Sequence, residues 1–403
     1  MKNIFQTLAH LQDQIKALNE FELISLEEAK DRVLAKDLYA VKNLPSFDNA
    51  ALDGYAFNYA DVNQALDIKG TILAGDKNTY EIYKNECFKI MTGAKMPKNA
   101  DTILMIEDEC IEEGKLVIKK PPKQYNAYRY KGEELKKDEL LLKKGTRLNA
   151  RHIALLSSQG LYKIEVVRKI RIGIFSSGDE LKEPWQDCDE ENIYNANALP
   201  LLALFKDCAT SYLGIIKDDF NATKKALENA NFDLLITSGG ASVGEADFME
   251  KALNELGFTP LFKGLKARPA RPTKLYQKDK TLVLILPGNP MAAYLSAFIF
   301  ARKIIALLYG NLENPLQIQA FMGSDLKVKS GRNNLILGNL EKGIFYPFND
   351  NKFGAGMILP LILREFLLIS GKEKVTFKNK KRKTLFKFIF KGRLNFAFKY
   401  FST

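Results

Sequence analysis

The sequence predicts an α/β multidomain protein centred on a doubly wound, mostly parallel sheet, and three observations carry that reading. Between Lys169 and Leu308 strand-like and helix-like segments alternate. The strand-like segments are nearly continuous apolar runs, the pattern of strands covered on both faces, and Gly-rich or polar loops follow several of them. Strands are read at 170–175, 211–216, 234–237 and 282–286, with helices at 199–206, 222–230, 248–256 and from Met291 onward. Ahead of this section, residues 5–35 read as helices, with Ser25 and Glu28 spaced as a capping box before Ala29, Val33 and Leu34. From 37 to 143 the pattern changes to short β-like runs at 67–73, 87–91, 102–107 and 115–118, broken by Gly, Pro, Asn and charged turns, which marks a mainly β insertion. A helix at 150–159 is expected to pack back on the opening helices. After a Gly-Asn-Pro break at 310–315 the chain turns β-like again, with Phe386, Phe388 and Phe390 on one alternating face and Phe396, Phe398 and Tyr400 suggesting another.

With 403 residues, 46% hydrophobic and 27% charged, the chain has room for several packed domains and lacks the bias of a disordered one. Its least polar run, 291–301, is about half a membrane span, so no membrane crossing is expected. The opening residues hold no secretory h-region, which makes the cytoplasm the default location. Cys87, Cys110, Cys188 and Cys208 form no CxxC and only His10 and His152 are available, so a zinc site is poorly supplied and any metal is expected to be held by oxygen. The net charge of +12 is concentrated at one end: residues 372–403 hold 11 Lys/Arg and one acid, and the other 371 hold 49 basic and 47 acidic side chains. A nucleic-acid surface over the body is therefore not expected. The basic aromatic end reads as a strand edge protected by lysines, with RNA or an anionic membrane surface as the alternative.

Three loops carry the chemistry: SSGDEL (Ser176 to Leu181), SGGASVGEAD (Ser238 to Asp247) and LPGNP (Leu286 to Pro290). In open α/β sheets, loops at the carboxyl ends of strands converge on one crevice. Gly239, Gly240 and Gly288 let backbone N–H groups approach a ligand, and the helix starts that follow favour an anion such as phosphate. Any one such turn simply joins a strand to a helix; three argue for a shared pocket. Asp179, Glu180, Glu245 and Asp247 lie on these loops, and Asp218-Asp219 closes another strand. Carboxylates beside a phosphate repel it unless a hard cation bridges them, so Mg²⁺ is implied, with a solvated acidic rim as the plainer alternative. In KARPARP (Lys266 to Pro272), Arg268 and Arg271 suit a tetrahedral oxyanion. No GxxxxGK[ST], strand-linked GxGxxG or GxSxG is present, which removes support for common NTPases, nicotinamide dehydrogenases and α/β-hydrolases.

Taken in order, PSFDNAALDGYA (Pro45 to Ala56), TGAKMPKNAD (Thr92 to Asp101), SSGDEL, SGGASVGEAD, KARPARP and LPGNP resemble the molybdopterin molybdenumtransferase family, which includes the E domain of gephyrin. The resemblance spans residues 5 to about 310. It implies a helical linker domain (1–40 with 140–167), an inserted β domain (41–139), a molybdopterin-binding α/β domain (168–311), a C-terminal β-barrel domain (312–391) and a basic tail (392–403). It further implies an elongated homodimer in which Asp53 acts in trans, and conversion of adenylated molybdopterin and molybdate into molybdenum cofactor and AMP with a divalent cation. Transient contact with other proteins of cofactor synthesis is also expected.

Position by position, the resemblance implies functional roles for Asp53, Thr92, Glu180, Asp219 and Asp247, with Glu180, Asp219 and Asp247 positioning Mg²⁺. Ser177, Gly178, Asp179, Ser238, Gly239, Gly240, Ser242, Gly244, Glu245, Pro287, Gly288, Asn289 and Pro290 would hold the pterin and phosphate. Arg268, Arg271 and Arg332 would hold molybdate. For Asp53 and Thr92 the local alternative is a pair of turn-forming hydrogen bonds. Four positions depart from the family pattern: arginines at 268 and 271 where lysine is usual, Asn195 and Glu134 where aspartate is common, and Ala355 where serine is often found. Two other readings compete, a non-catalytic molybdopterin-binding scaffold and a molybdopterin adenylyltransferase. Release of AMP, as against consumption of ATP or binding alone, separates them.

Overall fold

The computed structural model describes residues 1–403 except 229, 241–247, 311–317, 325, 328, 352–353, 364–365, 370–375, 378–383, 387 and 391–403. The chain divides into two units: Leu23–Val166, and Met1–Glu22 with Val167–Thr403.

In the second of these, six strands form one sheet: β1 (Arg171–Ser177), β2 (Ala209–Ile216), β3 (Leu234–Ser238), β4 (Thr259–Lys263), β5 (Lys274–Lys278) and β6 (Thr281–Leu286), in the order β2-β1-β3-β6-β5-β4. The first four in that order run parallel, and β5 and β4 add an antiparallel edge. β3 is buried at every residue and β1 at five of seven, whereas edge strand β2 alternates between exposed and half-buried; burial on both faces is why the central strands read as continuous apolar runs. Helices α1 (Ala198–Leu204), α2 (Phe220–Glu228), α3 (Phe248–Glu255) and α4 (Pro290–Leu308) connect or follow the strands. Leu227 of α2 and Met249, Ala252 and Leu253 of α3 close over Phe175, Leu235, Val283 and Ile285 on one face of the sheet. The alternate residues Ile174, Ile236 and Leu284 are also fully buried, and α1 and α4 contact β1 and β6. Among the described residues only α4 is long and apolar enough to cross a bilayer, and 72% of it is buried within the fold as a core helix.

The β4–β5 hairpin was not anticipated from the sequence. Pro260 interrupts the pattern of one strand and KLYQK mixes polar with apolar residues, as an edge position allows. Beyond α4, a seven-stranded sheet includes Ile318–Met322, Asn333–Glu341, Ile344–Pro347 and Phe366–Ile369. Thr384–Phe386 and Phe388–Phe390 pair with different neighbours in it, the first with Ile318–Met322 and the second with Phe366–Ile369. Phe396, Phe398 and Tyr400 lie outside the described residues.

The first helix, Ile4–Gln14, is closed by a capping box between Asn3 and Gln6. It belongs with the sheet: the Ile4 N–H donates to Asn333 Oδ1 at 2.8 Å, and the Leu18 N–H to the Leu308 carbonyl at 2.8 Å. Met1–Glu22 falls in the α/β unit. The second opening helix needs correction. Ser25 makes no side-chain cap bond, and Leu26–Glu28 is a single 3-10 turn after the strand Phe21–Ser25. Asp31 then takes φ 66°, which no helix continues, and Val33 and Leu34 bridge to Arg147 and Val166. Leu26, Ala29 and Leu34 instead feed a cluster with Leu148, Leu156 and Ile164.

Within Leu23–Val166, six strands order as Thr102–Met105, Gly54–Phe57, Glu86–Ile90, Leu66–Ile72, Lys115–Leu116 and Ile111–Glu112. Gly54–Phe57 is buried throughout because Ala56 packs into one cluster with Ile72, Phe88 and Ile90, while Tyr55 and Phe57 pack into another with Leu66, Cys87 and Leu104. The helix Ala150–Ser158 forms as expected, capped by Asn149.

Candidate active site

Parallel register brings the loop starts to one sheet edge. Ser176 pairs with Ser238, and Ser238 with Leu286, so SSGDEL, SGGASVGEAD and LPGNP leave adjacent strands at the same level. Lys274 pairs with Ile285, so KARPARP ends at that edge as well. The approach is close enough to require glycine. Gly239 takes φ 98°, and a Cβ there would overlap the Ser177 carbonyl; a Cβ on Gly288 would stand 3.7 Å from the Gly239 Cα. The Gly239 N–H donates to the Leu286 carbonyl at 3.2 Å, and the Asn197 side chain to the Gly288 carbonyl at 2.7 Å.

Carboxylates line the rim. Ser177 Oγ donates to Asp218 Oδ1 at 3.3 Å, and the Asp218 N–H donates to Asp179 Oδ1 at 3.2 Å. Glu180 folds back toward Gly178, close to where a Cβ on that glycine would stand. Asp219 acts locally, its Oδ1 accepting the Ala222 N–H at 2.7 Å and so capping the first turn of α2. One oxygen of Asp219 is thus engaged by the helix. Ser242, Gly244, Glu245 and Asp247 lie outside the described residues. Among the described residues no group of three or more His, Cys, Asp or Glu is arranged to hold a metal.

The arginines converge through backbone pairing. Ala267–Arg268 runs parallel to Asn333–Asn334, which sets Arg268 beside Arg332 although they are far apart in the chain. Burial lowers the pKa of the Arg332 guanidinium, and the like charge of Arg268 lowers it further. Arg332 Nε donates to Asn334 Oδ1 at 3.3 Å. Arg271 is exposed, and its carbonyl accepts the Leu265 N–H at 2.8 Å.

Beside the LPGNP loop lies a cavity of about 430 Å³, lined by Asn197, Pro200, Leu201, Pro290, Tyr294 and Ile358 among others. The Ala355 carbonyl accepts the Ala292 N–H at 3.4 Å, placing the departure at Ala355 against the start of α4.

In the Leu23–Val166 unit, Asp53 and Thr92 meet because Gly54 pairs with Ile90 across adjacent antiparallel strands. Asp53 Oδ1 accepts both the Thr92 N–H and Thr92 Oγ1, each at 2.7 Å. Both residues are exposed, and the two bonds, backbone first, hold the Asp53 carboxyl below the usual aspartate range. Glu134, another departure, pairs with Arg129 at 3.4 Å on the surface of the same unit.

Sequence reasoning missed the layer beneath the loops. Asn195 is 2% exposed and links Ser176, Tyr212 and Glu183 to the start of α1. Its signals were its place in a polar YNAN run between a strand and a helix and its departure from the aspartate common there.

A doubly wound sheet with glycine-tight loop starts and exposed carboxylates at its carboxyl edge defines a multidomain α/β protein. Residues 3–160 match the model described as MoeA N-terminal region (domain I and II), and residues 173–306 match the probable molybdopterin binding domain. The molybdopterin molybdenumtransferase of Haemophilus influenzae is 30% identical over 355 residues, covering 86% of this chain and 86% of that protein; the Bacillus subtilis enzyme is 33% identical over 315 residues, covering 74% and 72%. The crystal structure of the molybdopterin biosynthesis MoeA protein from Pyrococcus horikoshii OT3 superposes with a TM-score of 0.82 at 26% identity, covering 97% of this chain and 99% of that one. The chain belongs to the MoeA family of molybdopterin molybdenumtransferases.

Proposed function

We propose that this protein is a molybdopterin molybdenumtransferase: it takes adenylated molybdopterin and molybdate, cleaves the phosphoanhydride to release AMP, and leaves molybdenum on the pterin dithiolene. The observation that carries the reading is the convergence on one sheet edge of the starts of SSGDEL, SGGASVGEAD and LPGNP and the end of KARPARP. Gly239 and Gly288 keep the loop starts free of Cβ bulk where a phosphate would sit, and the start of α4 adds the favourable end of its dipole. The cavity beside Pro290 and Tyr294 has the size and apolar walls for a flat heterocycle. Arg268 and Arg332 attract the molybdate oxyanion, with Arg271 in the same segment, and hold it near the attacking sulfurs, which is catalysis chiefly by positioning and charge.

Carboxylate oxygens such as those of Asp179, Glu180, Asp218 and Asp219 are hard donors of the kind Mg²⁺ takes, and the chemistry of these donors is what supports that ion, since among the described residues no three acids are grouped to hold a metal. Glu180, the second oxygen of Asp219, and Asp247 are the proposed ligands. Bound there, Mg²⁺ would neutralise phosphate charge as the anhydride breaks. We further propose a cytoplasmic homodimer in which Asp53, oriented by Thr92, serves the partner's reaction.

The test supplies purified protein with adenylated molybdopterin. Stoichiometric AMP release that requires both molybdate and Mg²⁺ supports the reading; tight pterin binding without release supports a scaffold. For the dimer, mixing inactive Asp53→Asn and Glu180→Gln proteins should restore activity, and a mixture that stays inactive contradicts action in trans.

A further inference from the structure

Under the loops lies a buried polar chain with a defined direction. Ser176 Oγ donates to Asn195 Oδ1 at 3.1 Å, so the 3.1 Å contact between Ser176 and Ser238 is made with the Ser238 O–H as donor. Asn195 Oδ1 also accepts the N–H groups of Asn197 and Ala198, each at 3.3 Å. On its other side, Asn195 Nδ2 donates to the Tyr212 hydroxyl at 2.9 Å and to Glu183 Oε2 at 3.5 Å, and the Tyr212 O–H donates to Glu183 Oε1 at 2.5 Å. Each side-chain proton in this chain points toward the Glu183 carboxylate. Ser176 and Ser238 are essentially unexposed and Glu183 is 8% exposed, which makes every unmade bond here expensive.

We infer that Asn195 is a positioning residue, whose amide fixes the ends of β1 and β3 and the start of α1 in one register and thereby sets the three ligand loops. The third loop is reached through Asn197, which holds the Gly288 carbonyl. This rests on the proposed transferase reading for its functional consequence, but the network itself does not. The amide satisfies the site as built: its oxygen meets three donors, and its nitrogen meets a carboxylate and a phenol whose proton is already given away. Beside this chain's Glu183, an aspartate, the residue common at this position, would set two acceptors against each other unless one carboxyl kept its proton.

The test is Asn195→Asp, alone and combined with Glu183→Gln. The titratable groups facing Asn195 are Glu183 on the loop after β1 and Tyr212 on β2; the contacts from β1, β3 and α1 are serines and backbone N–H groups. Burial and the Glu183 carboxylate push the Tyr212 phenol up, so it stays protonated throughout the range tested. In N195D two carboxyls face each other and share a proton at low pH, which preserves a donor; as pH rises the proton is lost and the loops lose register. The expected kcat/KM for AMP release is within about threefold of wild type at pH 6 and about thirtyfold lower at pH 8.5. The N195D-minus-wild-type infrared difference should show a protonated carboxyl stretch that titrates with the same midpoint. Glu183→Gln added to N195D restores one carboxylate and one amide, and should return the flat profile.

A pH profile of N195D parallel to wild type, or no rescue by E183Q, overturns the inference. If N195D does not fold, Tyr212→Phe decides: a loss of about three- to tenfold in kcat/KM is expected from removing one network hydroxyl, and full activity contradicts the assignment. Should wild-type protein release no AMP, the transferase reading fails, and AMP affinity with the infrared titration across the same pH range still decides whether Asn195 sets the loops.

Discussion

The two units present their candidate polar residues in opposite ways. In Leu23–Val166, Asp53 and Thr92 are neighbours through one strand pairing, exposed, and bonded to each other by two short contacts. In the α/β unit the site is assembled from four segments between Ser176 and Pro290, with an exposed rim of acids above and a buried layer of Ser176, Asn195 and Ser238 below. The first arrangement can lose a side chain without disturbing its framework. The second separates chemistry from support, so rim substitutions should change turnover and substitutions beneath should change how several loops act together.

The largest expected effect falls on the rim. Glu180→Gln keeps size and removes charge, and should lower kcat by about a hundredfold or more with an unchanged melting temperature. A tenfold rise in Mg²⁺ concentration that recovers part of the loss would sharpen the ligand assignment; undiminished turnover would remove Glu180 from the chemistry. Next comes Arg332→Ala, expected to raise the KM for molybdate by about ten- to a hundredfold and to leave affinity for the adenylated pterin unaltered. Arg332→Lys should fall between, since a lysine keeps charge without the planar fork.

Asp219 separates capping from ligation. Asp219→Asn retains a cap acceptor, so its melting temperature should match wild type, while Asp219→Ala should melt about 2–4 °C lower. If both lose activity alike, charge matters and ligation is supported; if only the alanine variant does, Asp219 serves α2 alone.

The smallest effect is the contribution of the Asp53–Thr92 bonds to stability. Because Thr92 lowers the Asp53 pKa, the pair's contribution is complete above the ordinary aspartate range and disappears as pH falls through the lowered value. The melting difference between wild type and Thr92→Val should therefore be constant near neutrality and shrink below about pH 4. A difference that persists in acid would mean that Thr92 supports the fold by packing instead.

The same contrast explains what the sequence made legible. Strands β1, β3 and β6 announce themselves because burial on both faces leaves uninterrupted apolar runs, and the loop motifs follow directly from where those runs stop. The β4–β5 edge hairpin, with Pro260 and a mixed KLYQK strand, gives no such signal. Residues 26–34 mislead because helical spacing and a bridging turn can bury the same leucines. At the site, Arg268 and Arg332 are individually ordinary; only the pairing of Ala267–Arg268 with Asn333–Asn334 makes them neighbours. Asn195 is harder still, since a polar residue's burial is a property of what folds over it.

The most direct measurement is a crystal soaked with AMP and tungstate, the heavier analogue of molybdate, read by tungsten anomalous scattering. One strong peak is predicted within hydrogen-bonding reach of Arg268 and Arg332, in the same cleft as a nucleotide phosphate on the Gly239 and Gly288 loops. Tungsten and nucleotide on separate surfaces would contradict a single shared site.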